Sequence, residues 1–189
     1  MGRIILVTGG ARSGKSRYAE QLAANTGANI AYIATARALD FEMEDRIAKH
    51  RQQRPTSWRT FEAPTSPSMI IAAQGEHYDS ILLDCLTVMI TNRILTHPVD
   101  WDNPAIAQLN SIEADVMAEI EAIIKAAGES QTEVIAVTNE VGFGIVPLSP
   151  LARFFRDCAG RVNQRMAASA AAVFLVVSGI PMQIKGPRG

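Results

Sequence analysis

The sequence has no excess of charge of either sign, only two cysteines and no long apolar run. Its 189 residues carry 18 Lys and Arg against 19 Asp and Glu, which gives a formal net charge of −1. A protein with this balance is not expected to bind nucleic acid through a general basic surface. No apolar stretch approaches the roughly 20 residues that span a bilayer, and the first residues lack the basic and apolar regions of a signal peptide. We therefore expect a cytoplasmic protein that has no nucleic-acid partner and does not insert into a membrane.

The cysteines are too few and too far apart for a disulfide framework or a zinc site. Cys85 and Cys158 stand in apolar or helical surroundings without C-x-x-C spacing, so we expect buried thiols in a reducing compartment. The chain shows no repeat, linker or low-complexity tract. Its length suits one hydrophobic core, and we expect residues 1–189 to form a single domain.

The most informative stretch is residues 4–16, IILVTGGARSGKS. Four aliphatic residues and a threonine lead into a segment that matches G-x-x-x-x-G-K-[ST] at every fixed position, and a helix-like segment follows. This strand, loop and helix are the context in which the motif binds phosphate. The sequence therefore predicts a nucleoside triphosphate site, whose contacts come from Gly9, Gly10, Ala11, Arg12, Ser13, Gly14, Lys15 and Ser16.

Each fixed position of this loop has a chemical task. Gly9 and Gly14 allow backbone N–H groups to turn inward and approach phosphate oxygens closely. Lys15 supplies a positive charge for the β- and γ-phosphates, and Ser16 supplies a hydroxyl for Mg²⁺. The helix that starts here directs the positive end of its dipole at the same anion. The loop alone does not say what the triphosphate is used for.

Apolar runs alternate with helical segments along the whole chain. This alternation predicts an α/β fold with a mostly parallel, doubly wound sheet of six or seven strands and an antiparallel edge strand at the C-terminal end. Together with the glycine-rich loop, it is the fold class of P-loop NTPases. Strands are predicted at residues 4–7, 29–35, 58–62, 79–85, 132–138, 173–177 and 182–185, and helices at residues 15–25, 40–51, 66–74, 86–95, 105–127 and 150–172.

Polar residues follow several of the predicted strands. Asp84 ends an apolar run in the manner of a Walker B strand, whose carboxylate orders Mg²⁺ or its waters opposite Ser16. An aspartate at a strand end is also common without any such role. The segment 139–147, which places Asn139 and Glu140 ahead of two glycines, is either a substrate loop or a turn, and the sequence favours neither. Residues 35–37 leave another strand end, where ligands of open α/β sheets bind.

Residues 40–51 form a highly charged segment with helical spacing. Glu42 with Arg46 and Asp45 with Lys49 are acid-to-base pairs four residues apart, which is typical of a solvated helix. The last turn nevertheless gathers cations that suit both the helix dipole and an anion. His50 lies within this patch, although spacing alone makes it a surface histidine more readily than a functional one. The cations of the patch are Arg46, Lys49, Arg51 and Arg54.

Several longer blocks resemble one enzyme family. They are GGARSGKS, YIATA, EMEDRIAKHRQQRPTSWRTFE, LLDCLT with Asn92, TNEVGFGIVP, LARFFRDCAGRVNQRMA and SGIPMQIKG. Taken in order, they cover essentially the whole chain and resemble adenosylcobinamide kinase/adenosylcobinamide-phosphate guanylyltransferase, the bifunctional enzyme of cobalamin assembly. The phosphate loop is shared with many NTPases, whereas the blocks at residues 46–62 and 139–147 are far more specific.

The resemblance implies functions for particular residues. In that family a histidine at the place of His50 accepts GMP from GTP as a covalent guanylyl-histidine. His50, Lys15 and Asp84 are therefore the catalytic candidates, and Asp84 is a weak candidate for the base of the kinase step. The family also implies a Mg²⁺ requirement, for which the motifs offer Ser16 and Asp84 as ligands. The further nucleotide contacts that it implies are Thr35, Ala36, Arg37, Arg51, Gln52, Gln53, Arg54, Glu62 and Asp84.

The same resemblance implies the partners and the assembly. GTP and ATP are the expected nucleotides, adenosylcobinamide and adenosylcobinamide phosphate are the expected substrates, and a RecA-like sheet in a homotrimer is the expected architecture. Three other classes stay open on the residues alone. A P-loop small-molecule kinase would need the loop and Asp84 but not His50, and a regulator would hold GTP without turnover. A RecA-like DNA-dependent ATPase would need a basic surface, which the balanced charge argues against.

Overall fold

The structure is a computed structural model that describes residues 2–38 and 55–187, together with Phe41 and Ala48. The strands of this part of the chain are β1 (Ile4–Gly9), β2 (Ile30–Ala34), β3 (Arg59–Glu62), β4 (Ser80–Asp84), β5 (Glu133–Val137), β6 (Ala172–Val177) and β7 (Ile180–Lys185). Its helices are α1 (Lys15–Ala24), α2 (Pro67–Gln74), α3 (Leu86–Leu95), α4 (Ile106–Glu129) and α5 (Pro150–Ser169). None of these described helices is long and apolar enough to cross a membrane.

All of these strands belong to one sheet, in the order β3-β2-β4-β5-β1-β6-β7. The first strand of the chain is central, because β1 pairs in parallel with β5 on one side and with β6 on the other. The pairs of β2 with β3, β2 with β4 and β4 with β5 are parallel as well. β7 runs antiparallel to β6 at the edge. The predicted α/β fold, with a mostly parallel sheet and an antiparallel C-terminal edge strand, is confirmed.

Alternate residues of the central strands pack into two hydrophobic clusters, one on each face of the sheet. On the first face, Ile4 and Leu6 pack with side chains of α2, α3, α4 and α5. On the second face, Ile5 and Val7 pack with side chains of α1. Because both faces are covered, the central strands are apolar throughout instead of alternating. This continuous apolar pattern is what made them recognisable in the sequence.

Several element ends differ from the prediction. α5 ends at Ser169 and not near residue 172, because Ala170 already has extended backbone angles (φ −70°, ψ 140°) and β6 begins at Ala172. α4 continues through Gly128 to Glu129 and stops where Ser130 becomes extended. The edge strand β7 begins at residue 180, earlier than predicted. Of the helix predicted at residues 40–51, the structure describes only Phe41 and Ala48, both of which are helical; the other residues lie outside the described part of the chain.

Both cysteines are free and buried, as the sequence predicted. Cys158 of α5 is fully buried beneath the first face of the sheet. Burial raises the pKa of its thiol from 9.0 to about 11, with a further increase from the Glu113 carboxylate and an opposing effect of the Arg161 guanidinium. The side chain is therefore a neutral thiol at pH 7.

This raised pKa makes stability depend on pH in the alkaline range. Below pH 9 the thiol is protonated in both states, so it contributes no pH dependence. Above pH 9 the unfolded thiol loses its proton while the folded one keeps it up to about pH 11, so the free energy of unfolding should fall by up to about 1.4 kcal/mol per pH unit. Urea unfolding across this range should show a shallower fall in Cys158→Ala than in the unmodified protein. Parallel curves for the two proteins would contradict the prediction.

Candidate active site

The carboxyl ends of the parallel strands meet at one edge of the sheet. Val137 at the end of β5 is paired with Val7 of β1 and with Asp84 of β4. Ala34 at the end of β2 is paired with Asp84 and with Glu62 of β3. The phosphate loop, Asp84, residues 35–37, Glu62 and the segment after β5 therefore all leave the sheet at the same edge, where open α/β sheets bind ligands.

The phosphate loop has a shape that only glycine permits at its two fixed positions. A Cβ atom on Gly9 would lie 2.5 Å from the carbonyl oxygen of Val176, so any larger residue would collide with the neighbouring strand. Gly14 precedes α1 with a left-handed φ of 94°, and a Cβ there would lie 3.1 Å from the Cα atom of Gly179. The non-glycine Arg12 also has a positive φ, of 56°. The loop thus turns tightly and packs closely against Val176 and Gly179.

The β6–β7 turn supports this loop from behind. The backbone N–H of Gly179 donates a 2.8 Å hydrogen bond to the carbonyl oxygen of Ser13. Ser178 and Gly179 both have left-handed backbone angles, with φ values of 51° and 82°, so the turn is sharp enough to present this N–H to the loop. The conformation of the phosphate loop therefore depends on residues that lie more than 160 positions later in the chain.

Polar groups inside the loop fit a phosphate ligand. Lys15 is only 9% exposed, and its ammonium donates to the carbonyl oxygen of Gly10 at 3.2 Å, so its charge is held over the loop. The buried hydroxyl of Ser13 has no hydrogen-bond partner within the described residues, a cost that a ligand oxygen would remove. α1 begins at Lys15 and aims its first backbone N–H groups at the same space. This donor set suits a triphosphate.

Asp84 lies at this edge with its carboxylate held in place. The hydroxyl of Tyr32 donates to its Oδ2 atom at 3.0 Å. Burial, with the adjacent Asp84 carboxylate, raises the pKa of the next thiol, Cys85, to about 12, and the Lys15 ammonium lowers it. The thiol stays neutral, which excludes Cys85 as a nucleophile near pH 7.

The oxygen donors at the edge suit Mg²⁺ better than a protein-caged metal. Within residues 2–38 and 55–187, no group of three or more His, Cys, Asp or Glu side chains is arranged to hold an ion. Ser16, half-buried in the first turn of α1, and Asp84 instead offer one hydroxyl and one carboxylate. Mg²⁺ is commonly bound by one or two such side chains together with substrate phosphates and water, so the residues present fit this ion.

The loops that follow β2 and β3 are fixed by α3. The buried amide of Asn92 donates to the carbonyl oxygens of Thr35 at 2.8 Å and Pro64 at 3.0 Å. Arg93 donates to the carbonyl oxygen of Thr65 at 2.7 Å and is itself paired with Asp115. Asn92, which the sequence indicates only as part of one block of the resemblance, is therefore the side chain that joins the segment after β2 to the segment after β3.

The predicted contact residues of these loops have different surroundings. Thr35 is fully buried, and its hydroxyl exchanges hydrogen bonds of 2.8 and 2.9 Å with the backbone of Cys85, so its side chain serves to join β2 to β4. Ala36 is half-buried, whereas Arg37 and Glu62 are exposed at the edge. The remaining predicted site residues lie outside the described residues; they are His50, Arg51, Gln52, Gln53 and Arg54.

A polar network beside the phosphate loop was not recognised as such in the sequence. Glu140 accepts hydrogen bonds at Oε1 from the Thr8 hydroxyl at 3.0 Å and from the Asn163 amide at 3.1 Å. Asn139 binds the Thr87 hydroxyl through its backbone and side-chain nitrogens. The two polar residues after β5 were the available signal, but the sequence left a substrate loop and a simple turn equally open.

A central parallel strand that runs into a glycine-rich loop and a helix N-terminus, with a carboxylate at the end of a nearby strand, defines a nucleotide-binding protein of the P-loop class. Within that class the chain belongs to one family. Residues 5–184 match the family described as Cobinamide kinase / cobinamide phosphate guanyltransferase. The chain is therefore a bifunctional transferase of adenosylcobalamin biosynthesis, with a kinase and a guanylyltransferase activity.

Individual relatives agree with this assignment over nearly their whole length. Proteins of Escherichia coli (strain K12) and Salmonella typhimurium, both named Bifunctional adenosylcobalamin biosynthesis protein CobU, are each 48% identical over 187 residues, which cover 96% of this chain and 99% of the relative. The Pseudomonas aeruginosa protein named Bifunctional adenosylcobalamin biosynthesis protein CobP is 42% identical over 181 residues, 96% of each chain. The family resemblance found in the sequence is confirmed.

The two glycines of the loop should respond differently to the same substitution. Gly14→Ala puts a Cβ on a left-handed residue and against Gly179, so it should lower the free energy of unfolding by about 1–2 kcal/mol and weaken nucleotide binding. Gly10→Ala is the matched control, because a Cβ there meets nothing within 4 Å and stability should stay within about 0.5 kcal/mol. Urea unfolding without nucleotide measures both, and equal stabilities would contradict the assignment of strain to Gly14.

Proposed function

We propose that the chain phosphorylates adenosylcobinamide with ATP or GTP, and then transfers GMP from GTP to adenosylcobinamide phosphate to give adenosylcobinamide-GDP. The transfer proceeds through a guanylyl-histidine on His50. The observation that carries the proposal is the phosphate loop, which lies at the same sheet edge as Asp84. Its Lys15 is buried, and its buried Ser13 hydroxyl has no hydrogen-bond partner among the described residues. A family that combines both activities supplies the substrates.

The phosphate loop supports the guanylyl transfer by holding the leaving group. If the loop and Lys15 bind the β- and γ-phosphates, the α-phosphorus lies farther out, within reach of a nucleophile from another element. A neutral imidazole nitrogen of His50 then forms a bond to the α-phosphorus while the bond to the bridging oxygen breaks, and pyrophosphate leaves. A phosphate oxygen of adenosylcobinamide phosphate next attacks the same phosphorus, which breaks the N–P bond and restores the imidazole.

In the kinase step the phosphate loop binds the triphosphate in the same way, but the γ-phosphorus is attacked instead of the α-phosphorus. The aminopropanol hydroxyl of adenosylcobinamide attacks the γ-phosphorus, and the nucleoside diphosphate leaves with the bridging oxygen. Little covalent chemistry is required of the protein in such transfers, so positioning and charge stabilisation dominate. Lys15 and the N-terminus of α1 supply that stabilisation from this chain.

The remaining predicted residues fall into two groups. Ser16 and Asp84 would hold Mg²⁺, which, when bound, neutralises developing phosphate charge. Glu62, exposed at the end of β3, suits the N1–H and exocyclic amine of guanine. The other nucleotide contacts that we propose are Gly9, Gly10, Ala11, Arg12, Thr35, Ala36, Arg37, Arg51, Gln52, Gln53 and Arg54.

We also propose a cytoplasmic homotrimer. Two buried free thiols suit a reducing compartment. Phe143, Ile145 and Leu148, in the segment after β5, are between 84% and 96% exposed, and such neighbouring exposed apolar side chains suit a subunit contact. The trimeric assembly itself is carried over from the family resemblance.

Labelled GTP distinguishes covalent transfer from simple phosphorylation. With Mg²⁺ present, label at the α-phosphate should become bound to the protein through an acid-labile, base-stable bond, and label at the γ-phosphate should not. His50→Asn should lose this label entirely, because the amide is no nucleophile. A kinase without covalent nucleotidyl transfer would retain neither label, and that result would contradict the guanylyl-histidine.

Two further variants control this experiment. His77→Asn makes the same change at an exposed histidine, so labelling should stay within about twofold of the unmodified protein. Lys15→Ala should abolish both guanylylation and kinase activity, since both reactions need the triphosphate to be bound by Lys15 and the phosphate loop. Survival of guanylylation in Lys15→Ala would mean that another site holds the triphosphate.

A further inference from the structure

The side chain of Glu140 occupies the sheet edge directly beside the phosphate loop. It follows β5, which lies between β1 and β4. Its backbone N–H donates to the carbonyl oxygen of Gly9, the first residue of the loop, at 3.1 Å. Its carboxylate accepts from the hydroxyl of Thr8 at 3.0 Å. Both ends of the residue are therefore attached to the strand that carries the phosphate loop.

Neutral donors fix one carboxylate oxygen and leave the other available. Asn163, which is 7% exposed, accepts at Oδ1 from the Thr138 hydroxyl at 2.7 Å, which turns its amide nitrogen toward Oε1 of Glu140 at 3.1 Å. Thr8 donates to the same oxygen. Among the residues that the structure describes, no hydrogen bond reaches Oε2 of Glu140 and no cation pairs with the carboxylate. The side chain is thus oriented without being neutralised.

The carboxylate and the phosphate-binding helix approach the edge from opposite faces. Thr8 continues the alternation of Ile4 and Leu6, which pack under α3, α4 and α5, and Asn163 belongs to α5. α1, which carries Lys15, packs on the other face with Ile5 and Val7. An in-line transfer needs the attacking oxygen opposite the leaving oxygen. If α1 holds the leaving phosphates, we expect the base for the attacking hydroxyl on the face away from this helix.

Asp84 is less well placed for this task. It ends β4, two strands from β1, which corresponds to about 10 Å along the edge, whereas β5 is one strand away, at about 5 Å. Asp84 also accepts from the Tyr32 hydroxyl and is the carboxylate that suits Mg²⁺ with Ser16. Asp84 thus suits Mg²⁺ binding, and Glu140 is the carboxylate that remains to accept the proton.

We propose that Glu140 is the general base of the kinase half-reaction, an inference that rests on the proposed function. As the hydroxyl oxygen of the corrinoid side chain bonds to the γ-phosphorus, the bond to the bridging oxygen breaks and its electron pair stays with the nucleoside diphosphate. Oε2 of Glu140 takes the hydroxyl proton and later releases it to water. Guanylylation of His50 needs no such base, because the imidazole nitrogen attacks with its own electron pair.

The test compares the two half-reactions in Glu140→Gln. The amide oxygen can still accept from Thr8 and Asn163, but the side chain can no longer take a proton. With adenosylcobinamide and ATP as substrates, kcat of phosphorylation should fall about 10²- to 10³-fold with little change in the nucleotide KM. Labelling of the protein from GTP at the α-phosphate should stay within about twofold of the unmodified protein.

Matched variants separate this role from a structural one. Glu76→Gln makes the same change at an exposed glutamate and should leave both reactions unaltered. Asp84→Asn should weaken both reactions, since they share one triphosphate site. Thermal unfolding is recorded for every variant. If Glu140→Gln does not fold, Glu140→Asp, which keeps the proton acceptor at a shorter reach, should lower phosphorylation and spare guanylylation.

Two outcomes would overturn the proposal. Full kinase activity in Glu140→Gln would show that no proton acceptor is needed at this position. Equal loss of both half-reactions in a folded variant would show that the residue only shapes the phosphate loop. The kinase comparison does not depend on the guanylyl-histidine. If the unmodified protein took up no label from GTP, the covalent transfer would be refuted, but the effect of Glu140→Gln on phosphorylation would still test the role of Glu140.

Discussion

The parallel pairing of β1 with β5 and β6 is the constraint on which the site depends. It places the phosphate loop in the middle of the sheet edge, with the segment after β5 on one side and the β6–β7 turn on the other. The turn holds Ser13 through a backbone hydrogen bond, and Glu140 holds Gly9 and Thr8. The left-handed backbone of the non-glycine Arg12 is sparsely populated in an isolated loop, so these neighbours help to keep the loop in a phosphate-binding shape.

Much of this arrangement could be predicted from local sequence. The phosphate loop, the apolar strands and the position of Asp84 at a strand end are all encoded within short windows, because glycine conformations and continuous burial leave direct marks on residue choice. Helix ends were less exact, as α5 and α4 show. In the polar network around Glu140, the hydrogen bond from Thr8 joins two residues more than 130 positions apart. No local sequence pattern predicts such a contact.

In the proposed mechanism one triphosphate-binding site is used for reactions at two different phosphorus atoms. The γ-phosphorus is attacked by a hydroxyl, which must lose a proton, and the α-phosphorus is attacked by an imidazole, which need not. In this mechanism the two reactions therefore use different catalytic groups beside the phosphate loop. The segment after β5 supplies the base of the kinase reaction, and the segment around His50 supplies the nucleophile of the guanylyl transfer. The two activities can share Lys15 and Asp84 without sharing a nucleophile or a base.

The sheet order also bears on how the chain is made. β1 precedes the other described strands in the chain, yet both of its neighbours come from residues 133–177, and the N–H that donates to Ser13 belongs to residue 179. A ribosome-bound chain that has produced only the first hundred residues can build β2 beside β4, but it has no partner for the strand that carries the nucleotide loop. A nucleotide that binds this loop can therefore stabilise the protein only once synthesis has passed that turn.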